Sequence, residues 1–231
     1  MSTLNTEFMR DIERRFRRTT RLANRSYYKI FYCRVHPARI LALGINPGGT
    51  PSNTNPNGRT HKNGAIAAAS AGYYGRDEHD ILDCEWRENN GLRQLLTPLV
   101  GGDINRIRSE VVKTNLAFRR SAKKTQIDIE DAISESVPFL REIIGVVKPQ
   151  LILLTGVSLQ TFADHFAEST MRIARTIRDP HVKHIVFAAE RATLRGSRRS
   201  VLVVQVAHAS QFAWTYDRYE IPRRILRLMK A

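Results

Sequence analysis

The stretch Ile40–Gly49 reads ILALGINPGG and joins a short apolar run to a polar turn. Its apolar half has the composition of a strand that is buried on both faces of a parallel sheet. Asn46 follows, and then Pro47–Gly49, whose residue types form turns. In open α/β sheets, ligands bind just beyond the carboxyl ends of the strands. The stretch therefore predicts a buried β-strand that delivers the carboxamide of Asn46 to a ligand-binding edge.

Further strands and helices alternate along the rest of the chain. Apolar segments typical of strands lie at Val111–Leu116, Leu151–Leu154, His181–Ala188 and Ser200–Val206. Between residues 128 and 147, apolar side chains recur at helical spacing, although Pro138 predicts a kink or a restart capped by Ser136. The alternation predicts one three-layer α/β/α domain over residues 1–231, with an N-terminal helical extension over about residues 1–28.

The charge of the chain is strongly positive. It has 37 Lys and Arg residues against 22 Asp and Glu residues, a formal net charge of +15. This balance favours a polyanion partner, because neutralising phosphates supplies affinity that does not depend on sequence. A membrane surface is the alternative partner, but no run of about 18 apolar residues predicts a membrane span. The N-terminus also lacks the apolar centre of a signal peptide. We therefore expect a cytoplasmic protein with no membrane partner.

The chain has two cysteines, Cys33 and Cys84. They match neither a metal-binding spacing nor a disulfide framework. We therefore expect a reducing, intracellular compartment, no cofactor, and neither a metal ion nor an iron–sulfur cluster.

Polar side chains stand at or just beyond the ends of three predicted strands. They are Asn46, Asn115 and His208. Taken singly, a strand-end Asn is usually a turn former, and a lone His is more often structural than catalytic. The carboxyl ends of parallel strands meet at one edge of a sheet, however. Together the three residues predict a site made of two carboxamides and an imidazole.

Four segments resemble motifs of the uracil-DNA glycosylase superfamily and follow the same order. Gly44–Gly48 (GINPG) is similar to the first motif, as found in the mismatch-specific and single-strand-selective branches. Lys113–Leu116 (KTNL) is similar to the strand that carries the base-reading Asn. Pro138–Gly156 resembles the helix–strand–glycine segment of the four-cysteine bacterial branch, and His208–Ser210 resembles the His-Pro-Ser motif.

The chain departs from the family in three respects. Ala209 stands where the family has Pro, which bears on the rigidity of that loop. Asn46 replaces the Asp of the most active branch, which bears on the rate and on the base removed. The iron–sulfur cysteines of the bacterial branch are absent. The resemblance spans about residues 40–211.

The resemblance implies a central, mainly parallel four-stranded sheet and a monofunctional DNA glycosylase of base excision repair. Such an enzyme flips uracil or another deaminated base out of DNA and hydrolyses its N-glycosidic bond, leaving an abasic site. By resemblance, His208 donates to uracil O2 and Asn115 reads the Watson–Crick edge of the base. Asn46 holds the attacking water, and Gly44 and Ile45 line the base pocket.

The resemblance also implies DNA contacts outside the chemical step. Tyr73 or Tyr74 is the candidate for stacking on the base, with ordinary loop packing as the alternative. Phe212 is the candidate wedge side chain, with core packing as its alternative. Contacts to individual phosphates are expected from Pro47, Gly48, Ser210 and Gln211, and contacts to the duplex backbone from Arg191, Arg195, Arg198 and Arg199.

Two other functions remain open from the sequence. A non-catalytic nucleic-acid-binding protein on the same fold would explain Asn46 and Ala209 as decayed chemistry. A nucleotide or nucleoside enzyme would use the same sheet edge. The positive charge and the lack of a G-x-G-x-x-G or P-loop pattern weigh against that second alternative. The sequence favours no particular oligomeric state.

Overall fold

The computed structural model describes residues 2–20, 28–45, 79–83, 85–119, 127–182, 185–197 and 199–231. The strands are β1 (Ile40–Gly44), β2 (Val111–Asn115), β3 (Leu151–Thr155), β4 (Ala167–Arg172), β5 (Ile177–Arg178), β6 (Ile185–Leu194) and β7 (Ser200–Val206). The helices are α1 (Ser2–Thr19), α2 (Asp80–Asp83), α3 (Arg87–Leu99), α4 (Ile107–Glu110), α5 (Ile129–Val147), α6 (Leu159–Phe166), α7 (Ala209–Phe212), α8 (Trp214–Arg218) and α9 (Ile221–Lys230). A 3₁₀ turn, Ile104–Arg106, precedes α4. The predicted mixed α/β fold with a central sheet is confirmed.

The strands form one sheet in the order β2-β1-β3-β7-β6-β4, with β5 paired to β6. The first four of these strands are parallel, with Ile40 opposite Val111 on one side and Leu151 on the other. The remaining three are antiparallel to their neighbours. The expectation of four strands is therefore wrong, because the described residues alone hold seven.

β4 and β5 are strands that the sequence pattern does not predict, and β6 is longer than predicted. Five of the six residues of β4 are exposed, so the strand lacks the apolar pattern that marks a buried one. β6 extends past the predicted end at Ala188 because Arg191 pairs with Leu202 of β7 in the same ladder. The hairpin continues where the sequence pattern turns polar.

Two apolar cores lie on opposite faces of the sheet, since alternate strand residues point to opposite sides. On one face, Leu41 and Leu43 pack with α1, α5 and α6. On the other face, Ile40 and Ala42 pack with α3 and α9. Helices therefore cover the sheet on both sides.

Helix α1 packs into the first of these cores. Phe16 is fully buried and meets the rings of Phe118 and Phe139 edge-on, with centroid distances of 5.3 and 5.5 Å. Ring pairs of this geometry stabilise a core beyond the area they bury. Residues 21–27 of the predicted N-terminal extension lie outside the described residues.

Helix α5 runs without interruption from Ile129 to Val147, with Pro138 inside it. The predicted restart capped by Ser136 is wrong. Asp128 is the N-cap, and its side chain accepts from the backbone N–H groups of Glu130 and Asp131 in the first turn. The Ser136 hydroxyl instead donates to the carbonyl of Ala132 and accepts from the backbone N–H of Phe118. Across the described ranges, no helix is both long and apolar enough to cross a membrane.

Candidate functional site

The carboxyl ends of the four parallel strands form one edge of the sheet. β1 ends at Gly44, β2 at Asn115 and β3 at Thr155, and β7 leads within two residues to His208. The structure thus places Asn115 and His208 at the same edge, as their positions in the sequence predict. Asn46, the third residue of the predicted site, lies outside the described residues.

The side chain of Asn115 lies across the end of β1. It is 3 % exposed, and its Oδ1 occupies the space that a Cβ at position 44 would need. Its Nδ2 donates to the hydroxyl oxygen of Tyr32 at 2.6 Å. Glycine at position 44 is therefore required by the close approach of the carboxamide, and the bond to Tyr32 holds the amide in place.

Two lysines hold Tyr32 in place. The Nζ of Lys29 lies 4.0 Å and that of Lys113 4.7 Å from the centroid of the Tyr32 ring, within cation–π distance. Burial disfavours the charged form of Lys113, but the carboxylates of Glu88 and Asp80 outweigh burial and raise its pKa. Lys113 remains an ammonium group inside the protein, which supports the ring that positions Asn115.

The ring of His208 is held in one tautomer by the residue two positions later. The backbone N–H of Ser210 donates to His208 Nδ1 at 3.2 Å, and the Ser210 hydroxyl lies 2.8 Å from the same nitrogen. A backbone N–H can only donate, so Nδ1 must accept, and a neutral ring then carries its proton on Nε2. His208 is therefore set up as a hydrogen-bond donor through Nε2.

His208 packs against Gly156 at the end of β3. A Cβ at position 156 would lie 2.6 Å from His208 Cδ2, and the backbone there has a φ of +72°. Both observations require glycine. Gly156 and Gly44 thus have the same role. Each lacks the Cβ that would overlap a polar side chain, His208 in the first case and Asn115 in the second.

The loop after β7 is rigidly packed although position 209 is not proline. Ala209 is buried, and its carbonyl sits so close to Gly91 of α3 that a Cβ at position 91 would overlap it. Tyr216 donates its hydroxyl proton to the carbonyl of Ala207 at 2.7 Å, and burial raises the pKa of that phenol. Packing on α3 and the buried tyrosine supply the restraint that a proline would supply through its ring.

The two polar side chains converge over the middle of the edge. β2 and β7 are three strand spacings apart, about 14 Å. Asn115 leans inward over β1, and His208 leans inward over β3, so the gap between their functional groups is smaller than the gap between their strands. The carboxamide of Asn115 thus lies at the end of β1, and the ring of His208 at the end of the neighbouring β3.

The other residues predicted after His208 take different places. Ser210 is engaged with the His208 ring, and Gln211 is exposed. Phe212 packs against Val182, Val186 and Ala207. This is the core packing given above as the alternative to a wedge in DNA. The exposed aromatic of this segment is Trp214, at 44 %, with the guanidinium of Arg218 5.6 Å from its ring.

Three of the four arginines predicted to contact the DNA backbone are among the described residues, and none of the three lies at this edge. Arg195 and Arg199 lie in the turn between β6 and β7, at the amino end of β7 and hence at the opposite edge of the sheet. Arg191 lies within β6, and its guanidinium donates to the carbonyl of Leu228 at 3.5 Å. Outside the described residues lie Arg198, Tyr73, Tyr74, Pro47 and Gly48.

Three residues near the site carry no sequence signal that would single them out. Tyr32 and Lys113 look like parts of an ordinary strand or lead-in, and Trp214 like a helix residue. Lys113 is the one hint: it lies two positions before the strand-end Asn115, on the same face of the strand, where a charged residue must find a buried partner. The partners lie far apart in the chain and are not predictable from local pattern.

A buried histidine lies next to the lysine cluster. Nε2 of His79 donates to the carbonyl of Val111 at 2.9 Å, and the side chain is 2 % exposed. Burial disfavours the charged imidazolium and lowers the pKa of His79 from 6.5 to about 4. The ring is therefore neutral in the folded protein at physiological pH.

Stability should consequently fall as the pH drops from 6.5 towards 4. In that window the unfolded chain binds a proton that folded His79 does not, so the free energy of unfolding falls by about 1.4 kcal/mol per pH unit. The total approaches roughly 3 kcal/mol and is complete once the pH passes below the folded pKa. Urea unfolding at several pH values, compared with His79→Asn, measures the difference. Parallel pH profiles for the two proteins would contradict the prediction.

Across the described residues, no group of three or more His, Cys, Asp or Glu side chains is placed to hold a metal ion. Cys33 is buried, and burial raises the pKa of its thiol to about 12. Cys84 lies outside the described residues.

Compared with known proteins, the chain matches no protein-family model and no curated protein sequence.

Proposed function

We propose that the protein is a DNA glycosylase of the uracil-DNA glycosylase superfamily. It would hydrolyse the bond between deoxyribose and uracil, or another deaminated base, and leave an abasic site for intracellular base excision repair. The observation that carries the proposal is His208, held as an Nε2 donor at the same edge as the buried carboxamide of Asn115. The order of motifs in the sequence, and helices on both faces of a largely parallel sheet, agree with it.

His208 supports the proposal through the charge that develops in the reaction. When the base–sugar bond breaks, negative charge collects on the departing base. A fixed donor aimed at a base oxygen stabilises that charge by several kcal/mol in a site that excludes water. Because Ser210 occupies Nδ1, the ring meets the base with Nε2–H and needs no rearrangement.

Asn115 supports the proposal through the edge it would read. Its Oδ1 accepts, and the second hydrogen on Nδ2 donates, which matches N3–H and O4 of uracil. Cytosine presents the opposite pattern and would need the carboxamide turned over. Turning it over would replace the bond from Nδ2 by one in which the Tyr32 hydroxyl must turn and donate to Oδ1. With Nδ2 on Tyr32, the carboxamide matches uracil, and by the same pattern other bases with an N–H next to a carbonyl.

Asn46 would orient the attacking water. A carboxamide cannot accept a proton as a carboxylate can, so Asn46 acts as a positioning group rather than a general base. We accordingly expect slower turnover than in a glycosylase with Asp at this position, and a broader range of bases.

The test is base release from defined oligonucleotides. Duplexes with uracil, hypoxanthine or xanthine, paired and mismatched, and the corresponding single strands are incubated with the protein and treated with alkali to cleave abasic sites. Strand cleavage at the modified base is expected. The proposal fails if no member of the panel is cleaved by protein that is folded and binds DNA.

Tyr32→Phe should reduce uracil release about fivefold and weaken discrimination against cytosine. The change removes the acceptor that fixes Asn115 Nδ2, and one neutral hydrogen bond is worth about 1 kcal/mol. Single-turnover rates on uracil- and cytosine-containing strands measure both effects. Tyr28→Phe is the matched control, since that buried hydroxyl bonds Glu13 instead. Equal effects of the two substitutions would remove Tyr32 from the reading of the base.

A further inference from the structure

A cleft of about 710 Å³ lies beside β5 and α9. Apolar side chains, among them Ile177, Phe187 and Leu228, form part of its lining. Four arginines line it as well, namely Arg175, Arg178, Arg224 and Arg227. All four are exposed. The cleft therefore combines apolar surface with a concentration of positive charge.

No carboxylate among the described residues forms an ion pair with these four guanidinium groups. The nearby Asp179 is engaged by the Tyr219 hydroxyl at 2.6 Å, the backbone N–H of His181 at 2.7 Å and Arg218 at 3.6 Å. Arginines just outside the cleft do have acidic partners: Arg172 pairs with Glu190 and Arg223 with Glu220. The charge of the cleft is thus left for an external anion.

The cleft lies at the end of the sheet that carries His208. Phe187 pairs with Val206, which is two residues before His208, and Tyr219 follows α8 directly. At the other end of the same hairpin, Thr193 pairs with Ser200, next to the turn that holds Arg195. A strand of nucleic acid that presents one base to His208 would pass the cleft rather than the turn.

We propose that this cleft binds the sugar–phosphate backbone of DNA beside the base held at the sheet edge. Guanidinium groups bind phosphate oxygens through paired N–H donors, and the apolar lining suits the faces of the sugars. Such contacts position the DNA without reading its sequence. The proposal rests on the proposed function for the identity of the polyanion as DNA and for the place of the base at His208.

The experiment compares two triple variants that remove equal charge. The cleft variant, Arg175→Gln/Arg178→Gln/Arg227→Gln, removes three of the four positive charges of the cleft. These three side chains make no hydrogen bond to the described residues. The matched control is Arg10→Gln/Arg17→Gln/Arg18→Gln, on exposed positions of α1, which packs on the opposite face of the sheet. Binding to a duplex without uracil is followed by fluorescence anisotropy between 50 and 200 mM salt, roughly the range over which phosphate contacts dominate affinity.

The cleft variant should bind at least about thirtyfold more weakly at low salt, and the slope of log K against log salt should fall by about 2–3. The control should stay within about threefold of the parent, with little change in slope. Equal losses in both triples would show an effect of net charge and overturn the proposal. So would a loss confined to Arg195→Gln/Arg199→Gln, which would place the DNA at the opposite edge.

Failure of this inference can be told apart from failure of the proposed function. If the parent protein releases uracil but the cleft variant binds DNA like the control, only the proposal about the cleft is wrong. If the parent releases no modified base but the cleft variant selectively loses DNA binding, the cleft stands and the glycosylase proposal falls. Circular dichroism and urea unfolding establish that each variant is folded.

Discussion

Replacing His208 with alanine is expected to slow uracil release by about 10²–10³-fold, the scale for losing one fixed donor to a developing anion. The ring is not needed to hold the loop, because Ala209 packs on Gly91 and Tyr216 bonds the carbonyl of Ala207. The variant should therefore fold and bind DNA nearly as tightly as the parent. The loss should appear in the chemical step and not in affinity.

Single-turnover rates with saturating enzyme measure that step directly, and anisotropy on the same duplex measures binding. His165→Ala is the matched control, because this half-buried histidine lies at the end of α6, with Nε2 3.4 Å from a carboxylate oxygen of Glu130. Its rate should equal that of the parent. If His208→Ala also equals the parent, His208 has no part in the reaction, and the orientation imposed by Ser210 is only structural.

The parallel half of the sheet can be predicted from the sequence because three of its four strands, β1, β3 and β7, are short and largely apolar runs. β1, β2, β3 and β7 are buried throughout or nearly so, and burial on both faces selects Val, Ile and Leu at successive positions. β4 and β5 have one open side and gain their stability from pairing with β6. Pairing across a hairpin is a property of two segments, so no single window of sequence reveals it.

The residues of the site also divide into those that a local sequence pattern predicts and those that only the fold brings together. Asn115 and His208 are predictable because each follows an apolar strand, and parallel strands share an edge. Tyr32 is not, since it lies 83 residues before Asn115 and reaches it only through the fold. In the sequence, Lys113 looks like a break in a buried strand. In the fold, the carboxylates of Glu88 and Asp80 lie beside it and pair with its ammonium group. Sequence therefore identifies the groups that would touch a ligand better than it identifies those that position them.

Gly44 shows how the fold changes the meaning of a residue. In the sequence it is a small residue before a turn, where glycine is usually explained by backbone freedom. In the structure it is not among the residues of positive φ, so its backbone would accept an alanine. The obstacle is the Oδ1 of Asn115, which fills the space of the missing Cβ. Gly44 is thus a requirement of the carboxamide and, through it, of the site.

Gly44→Ala should therefore reduce uracil release by about 10²-fold while Asn115 itself is unchanged. The added methyl group must displace the carboxamide by roughly 1 Å, and a misplacement of that size costs about two orders of magnitude in rate. Gly145→Ala in α5 is the matched control, since a Cβ there meets nothing within 4 Å. It should leave the rate unchanged and raise the free energy of unfolding by about 0.5–1 kcal/mol, as expected for glycine inside a helix.

Rates and urea unfolding measured on both variants separate a displaced carboxamide from a damaged fold. If Gly44→Ala is slow but its free energy of unfolding lies within about 1 kcal/mol of the parent's, the variant has lost the placement of Asn115, because large core damage costs more. Adding Tyr32→Phe to Gly44→Ala should then cost less than Tyr32→Phe alone, since a displaced amide no longer uses the Tyr32 hydroxyl. Full additivity of the two changes would show that Tyr32 and Gly44 do not act on the same carboxamide.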